Sequence, residues 1–142
     1  FNENIETMTS QVIYLGELRT NATHIQSGSV IETDAPIDNQ GKGARFSPTD
    51  LVATALATCM LTIMGIAANT HGIMITNTTC SVDKIMGTAP RRIEKIKIAI
   101  QFPENSTYTD KEKSILEKAA LTCPVMESLH PDCIKDIQFL WS

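Results

Sequence analysis

The chain has 142 residues, enough for one domain with a true core, and carries 12 Lys and Arg against 16 Asp and Glu. That mildly acidic balance is spread along the chain and leaves no basic patch for nucleic acid or an anionic membrane surface, so a small molecule or another protein is the expected partner. The cysteines at 59, 80, 123 and 133 form no CxxC pair and no zinc-ribbon spacing, and no charged start followed by an apolar core opens the chain, which points to a reducing cytoplasm.

No linker, low-complexity tract or internal repeat interrupts the sequence, so residues 1–142 read as a single domain. The opening FNEN lacks a methionine and is expected to be either trimmed or foreign to the natural chain. Asn21-Ala-Thr, Asn77-Thr-Thr and Asn105-Ser-Thr match the glycosylation acceptor pattern and, without a secretion signal, are expected to be chance matches.

The N-terminal third holds short extended patterns, QVIYLGEL, ATHIQ and SVIETD, broken at Gly16, at Asn21 and at the Ser27-Gly28-Ser29 turn signal. They predict a meander of antiparallel strands. A loop of turn formers, APIDNQGKGARF, follows. Ser47, Pro48 and Asp50 then supply an N-cap, an N1 proline and an N3 acid, predicting a helix that runs to about residue 70 and stops at Gly72.

Residues 73–86 and 90–102 alternate with period two, most clearly where Ile96, Ile98, Ile100 and Phe102 interleave with Lys95, Lys97 and Gln101. Two half-buried strands joined by a turn near Gly87 and Pro90 are expected. Thr109 with Glu112 opens a second helix by capping logic, and Lys111, Lys113, Glu117 and Lys118 mark it as a surface helix. IKDIQFLW closes the chain as a strand. Strands, helix, strands, helices, strand describe an α+β domain with helices packed on antiparallel sheet.

Residues 51–68 contain no charge, and their polar side chains are Thr54, Thr58 and Thr62. Such a run is also a membrane-span candidate. The threonines fall on one stripe, Ala and Gly are frequent, and no basic flank or aromatic belt frames the segment, so a soluble helix is expected. A helix apolar on every side needs cover on every side, and a second subunit is the expected source of it.

Cys59 lies deep in that helix, too far from its start for the dipole to activate the thiol, so a nucleophilic Cys59 would need a cation. Arg91 and Arg92 begin a strand, which leaves Arg19 and Arg45 as candidates. The competing reading is a buried cysteine filling space. Cys123 differs: with Pro124 at N1 it occupies or adjoins an N-cap, where backbone N–H groups and the dipole stabilise a thiolate, or it is a cap without chemistry. Cys80 and Cys133 read as packing or surface thiols and His130 as a turn residue. Cys123, His130 and Cys133 have no standard zinc spacing.

FSPTDLVATALATCML and LTCPVMESLHP together resemble the OsmC/Ohr family, the osmotically inducible and organic hydroperoxide resistance proteins. The likeness covers a Gly-rich loop, a Pro-x-acid-Leu helix start, a small-residue helix bearing Cys, and a later Cys-Pro. It implies the OsmC-like fold, an intertwined homodimer with sites at the subunit interface, and no cofactor. It further implies that Cys59 is the peroxidatic thiol, attacking an organic hydroperoxide to give an alcohol and a sulfenic acid, and that Cys123 resolves this to a disulfide. An external dithiol then restores the enzyme. Arg19 falls where the family's activating arginine lies. Peroxidase members place a glutamate directly after the helix-initiating proline to orient that arginine; here the position is Thr49, with Asp50 next to it. A stress or small-ligand-binding dimer on the same scaffold, with passive thiols, is the alternative.

Overall fold

The computed structural model describes residues 8–141, so the opening FNEN lies outside the described residues. The chain divides between Leu51 and Val52 into two compact units.

The first unit is built on a three-stranded antiparallel meander, β1 (Ser10–Gly16), β2 (Arg19–His24) and β3 (Val30–Asp34). Gly16 is followed by Glu17 and Leu18, both at positive φ, and this tight turn starts β2 at Arg19. Asn21, expected to break the strand, lies within it opposite Glu32. The hairpin register makes Arg19 and Asp34 cross-strand partners, so Arg19, Asn21, Glu32 and Asp34 share one face.

The loop after β3 folds back on that hairpin. Gly41 makes this possible, because a Cβ there would lie 1.8 Å from the Ala35 carbonyl oxygen. Ala35 N–H bonds to Leu18 O, Gly43 N–H to Ala35 O, and Asp34 N–H to Phe46 O. The loop ends at Ser47, whose hydroxyl accepts the Asp50 N–H at 3.0 Å while Asp50 Oδ2 accepts the Ser47 N–H at 3.0 Å. This is the expected reciprocal cap, and α1 (Pro48–His71) starts from it.

In the second unit, α1 ends as predicted. Gly72 takes φ +66° and Ile73 N–H reaches back to Ala68 O, a Schellman-type stop. The strand expected from residue 73 begins later, as β4 (Thr79–Gly87). Ile73 is buried as an anchor, and a turn with Asn77 at positive φ, closed by Thr78 on Ile75 O, occupies the intervening residues. β5 (Arg92–Gln101) pairs antiparallel with β4.

The Thr109–Glu112 capping box is formed in full and opens α2 (Asp110–Leu121); α3 (Pro124–Ser128) follows, and β6 (Ile134–Leu140) closes the chain. β6 runs parallel to β5, which corrects the expectation of wholly antiparallel sheet. The physical reason is the connection: α2 and α3 form a long helical crossover that returns the chain in the direction of β5.

The core sits between α1 and the β4-β5-β6 sheet. Leu56, Met60 and Met64 line one face of α1, and Ile96, Ile98 and Ile100 come from alternate positions of β5. All six are essentially inaccessible, and each such burial stabilises by ~1.5–3 kcal/mol. Phe102, Tyr108 and Trp141 close one end, with Phe102 and Trp141 stacked at 3.9 Å between centroids. The architecture is the α+β class expected.

α1 is long and apolar enough to span a membrane, with mean hydropathy 2.1 over its most apolar window. Its core face carries Ala53, Leu56, Ala57, Met60, Met64 and Ala68. Val52, Thr58, Thr62 and Ile66 are exposed, so the described residues do not cover the helix completely.

Candidate functional site

α1 places Cys59 one residue before core-facing Met60, so its sulfur is half-buried at the edge of the core cluster. Cys123 is presented by a different device. It is the N-cap of α3, in extended conformation with Pro124 at N1, and its sulfur accepts the Met126 N–H at 3.4 Å. The two thiols, one from the middle of α1 and one from the α2–α3 junction, lie near enough that Cys59 disfavours the Cys123 thiolate. The helix order of the second unit thus brings together two of the three expected site residues.

Cys123 departs from expectation in its chemistry. It is fully buried, and burial pushes its thiol up from the ordinary value. The Met126 N–H opposes that shift, while the neighbouring Cys59 adds to it. A helix of five residues offers too small a dipole to reverse the cost of taking a thiolate out of water. Cys123 is therefore a proton-holding thiol beside Cys59, not the low-pKa thiol its cap position suggested.

The first unit holds the other candidate. Arg19 binds Asp34 through a two-bond fork, Nε to Oδ1 at 2.7 Å and Nη2 to Oδ2 at 2.9 Å. Asp34 is only 1% exposed, and its Oδ2 also accepts the Ala44 N–H at 3.1 Å. The Arg19 guanidinium, helped by that N–H, holds the Asp34 carboxyl below the usual range against the opposing effect of burial. Arg45, the other candidate cation, pairs with Glu32 at 3.2 Å. No local motif marks Asp34; the hairpin register set by the turn at Ser27 and Gly28 is the signal that pairs it with Arg19.

Asp50 is the capping acid, with an oxygen on the Ser47 N–H. Cys80, in β4, is half-buried and burial pushes its thiol up. Cys133 is a buried packing thiol, correcting any surface role, and His130 is a turn residue whose Nδ1 accepts the Asp132 N–H. Among the described residues no three His, Cys, Asp or Glu side chains converge as a metal centre requires.

An α+β chain in which one thiol on a long apolar helix meets a second thiol at a Cys-Pro helix start is a two-cysteine domain of OsmC-like type. The family model for OsmC-like protein matches residues 41–135, and the chain belongs to that family. It is similar, at 52% identity and TM-score 0.88, to a Psychrobacter arcticus 273-4 protein provisionally named as an osmotic stress induced and detoxification response protein. That match covers 93% of this chain and 95% of the other. An organic hydroperoxide resistance protein from Elizabethkingia anophelis shares the fold at 16% identity and TM-score 0.70, covering 95% and 97% of the two chains. An OsmC-like protein of unknown function from Vibrio cholerae does so at 15% identity and 0.72, covering 90% and 96%. No curated protein matches the sequence.

Proposed function

We propose that the protein is a thiol-dependent peroxidase that reduces organic hydroperoxides, working as a cytoplasmic homodimer whose residues 1–142 form one OsmC-like domain. The observation that carries this is that Cys59 and Cys123 share one core cluster and act on each other. Two thiols so placed need limited motion to become a disulfide.

The Cys59 thiolate attacks the terminal, hydrogen-bearing oxygen of ROOH; the O–O bond breaks, RO⁻ leaves and takes a proton, and Cys59 becomes a sulfenic acid. The Cys123 sulfur then attacks the Cys59 sulfur, hydroxide leaves as water with the Cys123 proton, and a Cys59–Cys123 disulfide remains. An external dithiol reduces it by exchange, becoming a disulfide itself. Cys123, held protonated, carries the proton that the leaving hydroxide requires. Arg19 is the cation proposed to favour the Cys59 thiolate and the departing alkoxide.

The dimer is favoured by apolar surface that the single chain leaves open, including Val12, Ile13, Tyr14 and Leu15 along β1 and Ile66 on α1.

Stopped-flow measurement with cumene hydroperoxide tests the scheme. Cys59→Ser should abolish turnover, and Cys123→Ser should give one turnover and then hold a sulfenic acid that dimedone traps. Full activity in Cys59→Ser would reduce the protein to a binding or stress protein with passive thiols.

A further inference from the structure

Cys123 supports the first turn of α3 with both its side chain and its backbone. Pro124 has no N–H to satisfy, the Met126 N–H bonds to the Cys123 sulfur at 3.4 Å, and the Glu127 N–H bonds to the Cys123 carbonyl at 3.1 Å. The Val125 N–H also favours charge on that sulfur. The helix has five residues, and the Ser128 hydroxyl donates back to the Pro124 carbonyl at 2.8 Å. A helix this short does not hold itself; its caps and its packing hold it. The packing comes from Val125, Met126 and Leu129, each half-buried against the core.

The capping sulfur is also the sulfur that the peroxidase reading joins to Cys59. In the reduced chain it is a free thiol with no exposed surface. In a disulfide its direction is set by a sulfur carried on α1, because the geometry about an S–S bond is specific. Sulfur is a weak acceptor at best, and a disulfide sulfur cannot carry the charge that makes a thiolate a stronger one. The far end of the segment is fixed separately: the His130 carbonyl accepts the Cys133 N–H and the Lys135 ammonium, both at 2.9 Å. Residues 124–129 thus lie between one hold that oxidation alters and one that it leaves in place.

Resting on the peroxidase reading, we infer that α3 is a redox switch: joining Cys123 to Cys59 withdraws the sulfur from the Met126 N–H, and α3 loosens in the oxidised state. The two thiols give up two electrons and two protons, and the hydroperoxide takes them up to become an alcohol and water. The loosening opens a path to a disulfide that contains a sulfur wholly buried in the reduced chain, and attack by an external dithiol requires such a path. Reduction returns the thiol to the cap, and α3 closes again.

The experiment is amide hydrogen exchange, read by mass spectrometry on the full-length protein either reduced or oxidised with diamide. Diamide takes up the thiol hydrogens itself, so the link forms without any peroxidase activity, and peptide mapping verifies that it joins Cys59 to Cys123. Residues 124–129 should exchange about fivefold faster in oxidised than in reduced wild type, the effect of losing one cap, with α2 unchanged. Cys59→Ser keeps the cap and cannot form the link, so it should stay slow in diamide. Reduced Cys123→Ala lacks cap and link alike and should match oxidised wild type. Should it fail to fold by circular dichroism, Cys123→Ser takes its place; its hydroxyl caps in either condition, and exchange should stay slow in both. A Cys59–Cys123 link without faster exchange in α3, or with equal acceleration throughout α2, overturns the inference and leaves the peroxidase reading intact. Turnover of tert-butyl hydroperoxide is measured separately on wild type. Its absence beside oxidation-dependent exchange removes the peroxidase reading and leaves the switch, whereas failure of diamide to form the link removes both.

Discussion

Cys59 neighbours Cys123 in the core, and burial first, then that sulfur, act against the Cys123 thiolate. This placement orders the oxidation chemistry of the four free thiols. Mild oxidation with a hydroperoxide should close Cys59–Cys123 before any pairing that involves Cys80 or Cys133. Peptide mapping without reduction checks this, with one dominant cross-linked species expected; a prominent Cys80 or Cys133 disulfide at equal oxidant would contradict the placement.

The same raised thiols make stability fall on the alkaline side. Burial raises both Cys80 and Cys123. Below the pKa of an unfolded thiol, about 8.5, both states keep the proton and the contribution is complete. As pH climbs past that value the unfolded chain ionises first, and the contribution is gone once the folded thiols ionise too. Thermal melts should therefore show Tm dropping above about pH 8.5 in wild type and a flatter alkaline limb in a Cys80→Ala/Cys123→Ala variant. Identical alkaline limbs would show that neither thiol is buried as described.

Helix starts offer a paired comparison. Ser47 and Thr109 both accept the N3 backbone N–H from an N-cap position, but Ser47 is 1% exposed and Thr109 faces solvent. Water can replace the Thr109 hydroxyl and cannot easily reach the Asp50 N–H. Thr109→Ala should cost ~1 kcal/mol and Ser47→Ala closer to ~2 kcal/mol by urea unfolding. Equal costs would mean that the Ser47 cap is open to water.

Local signals were the legible ones. Ser47-Pro48-Asp50, Thr109 with Glu112, Cys123-Pro124 and Gly72 each mark a boundary by chemistry confined to a few neighbouring residues, and each boundary falls where that chemistry puts it. The alternation through Ile96, Ile98 and Ile100 gave the core strand for the same reason. What required the tertiary fold was hidden. The parallel entry of β6 depends on how α2 and α3 cross over, and residues 73–78 alternate like a strand yet pair with no strand among the described residues. Cys123 looked activated because a cap position is visible in sequence and burial is not. Asp34 was overlooked because its partner, Arg19, is fifteen residues away in the chain and adjacent only through the hairpin.

The outward face of α1 bears on assembly. Thr58 and Thr62 turn their hydroxyls onto the Ala55 and Thr58 carbonyls of their own helix, at 3.0 and 2.8 Å, which satisfies the donors and leaves methyl groups on the surface. Ile66 continues that stripe at 58% exposure. A polar-looking row is thus apolar in contact chemistry and fit to be buried against a second copy. Ile66→Lys adds a charge that such an interface could not solvate and forfeits ~1.5–3 kcal/mol of burial per copy. Sedimentation velocity should show wild type as a dimer and Ile66→Lys shifted to monomer, with its circular dichroism unchanged. A wild type that sediments as a monomer at every concentration, or a variant that still dimerises, would show that this stripe is not the contact.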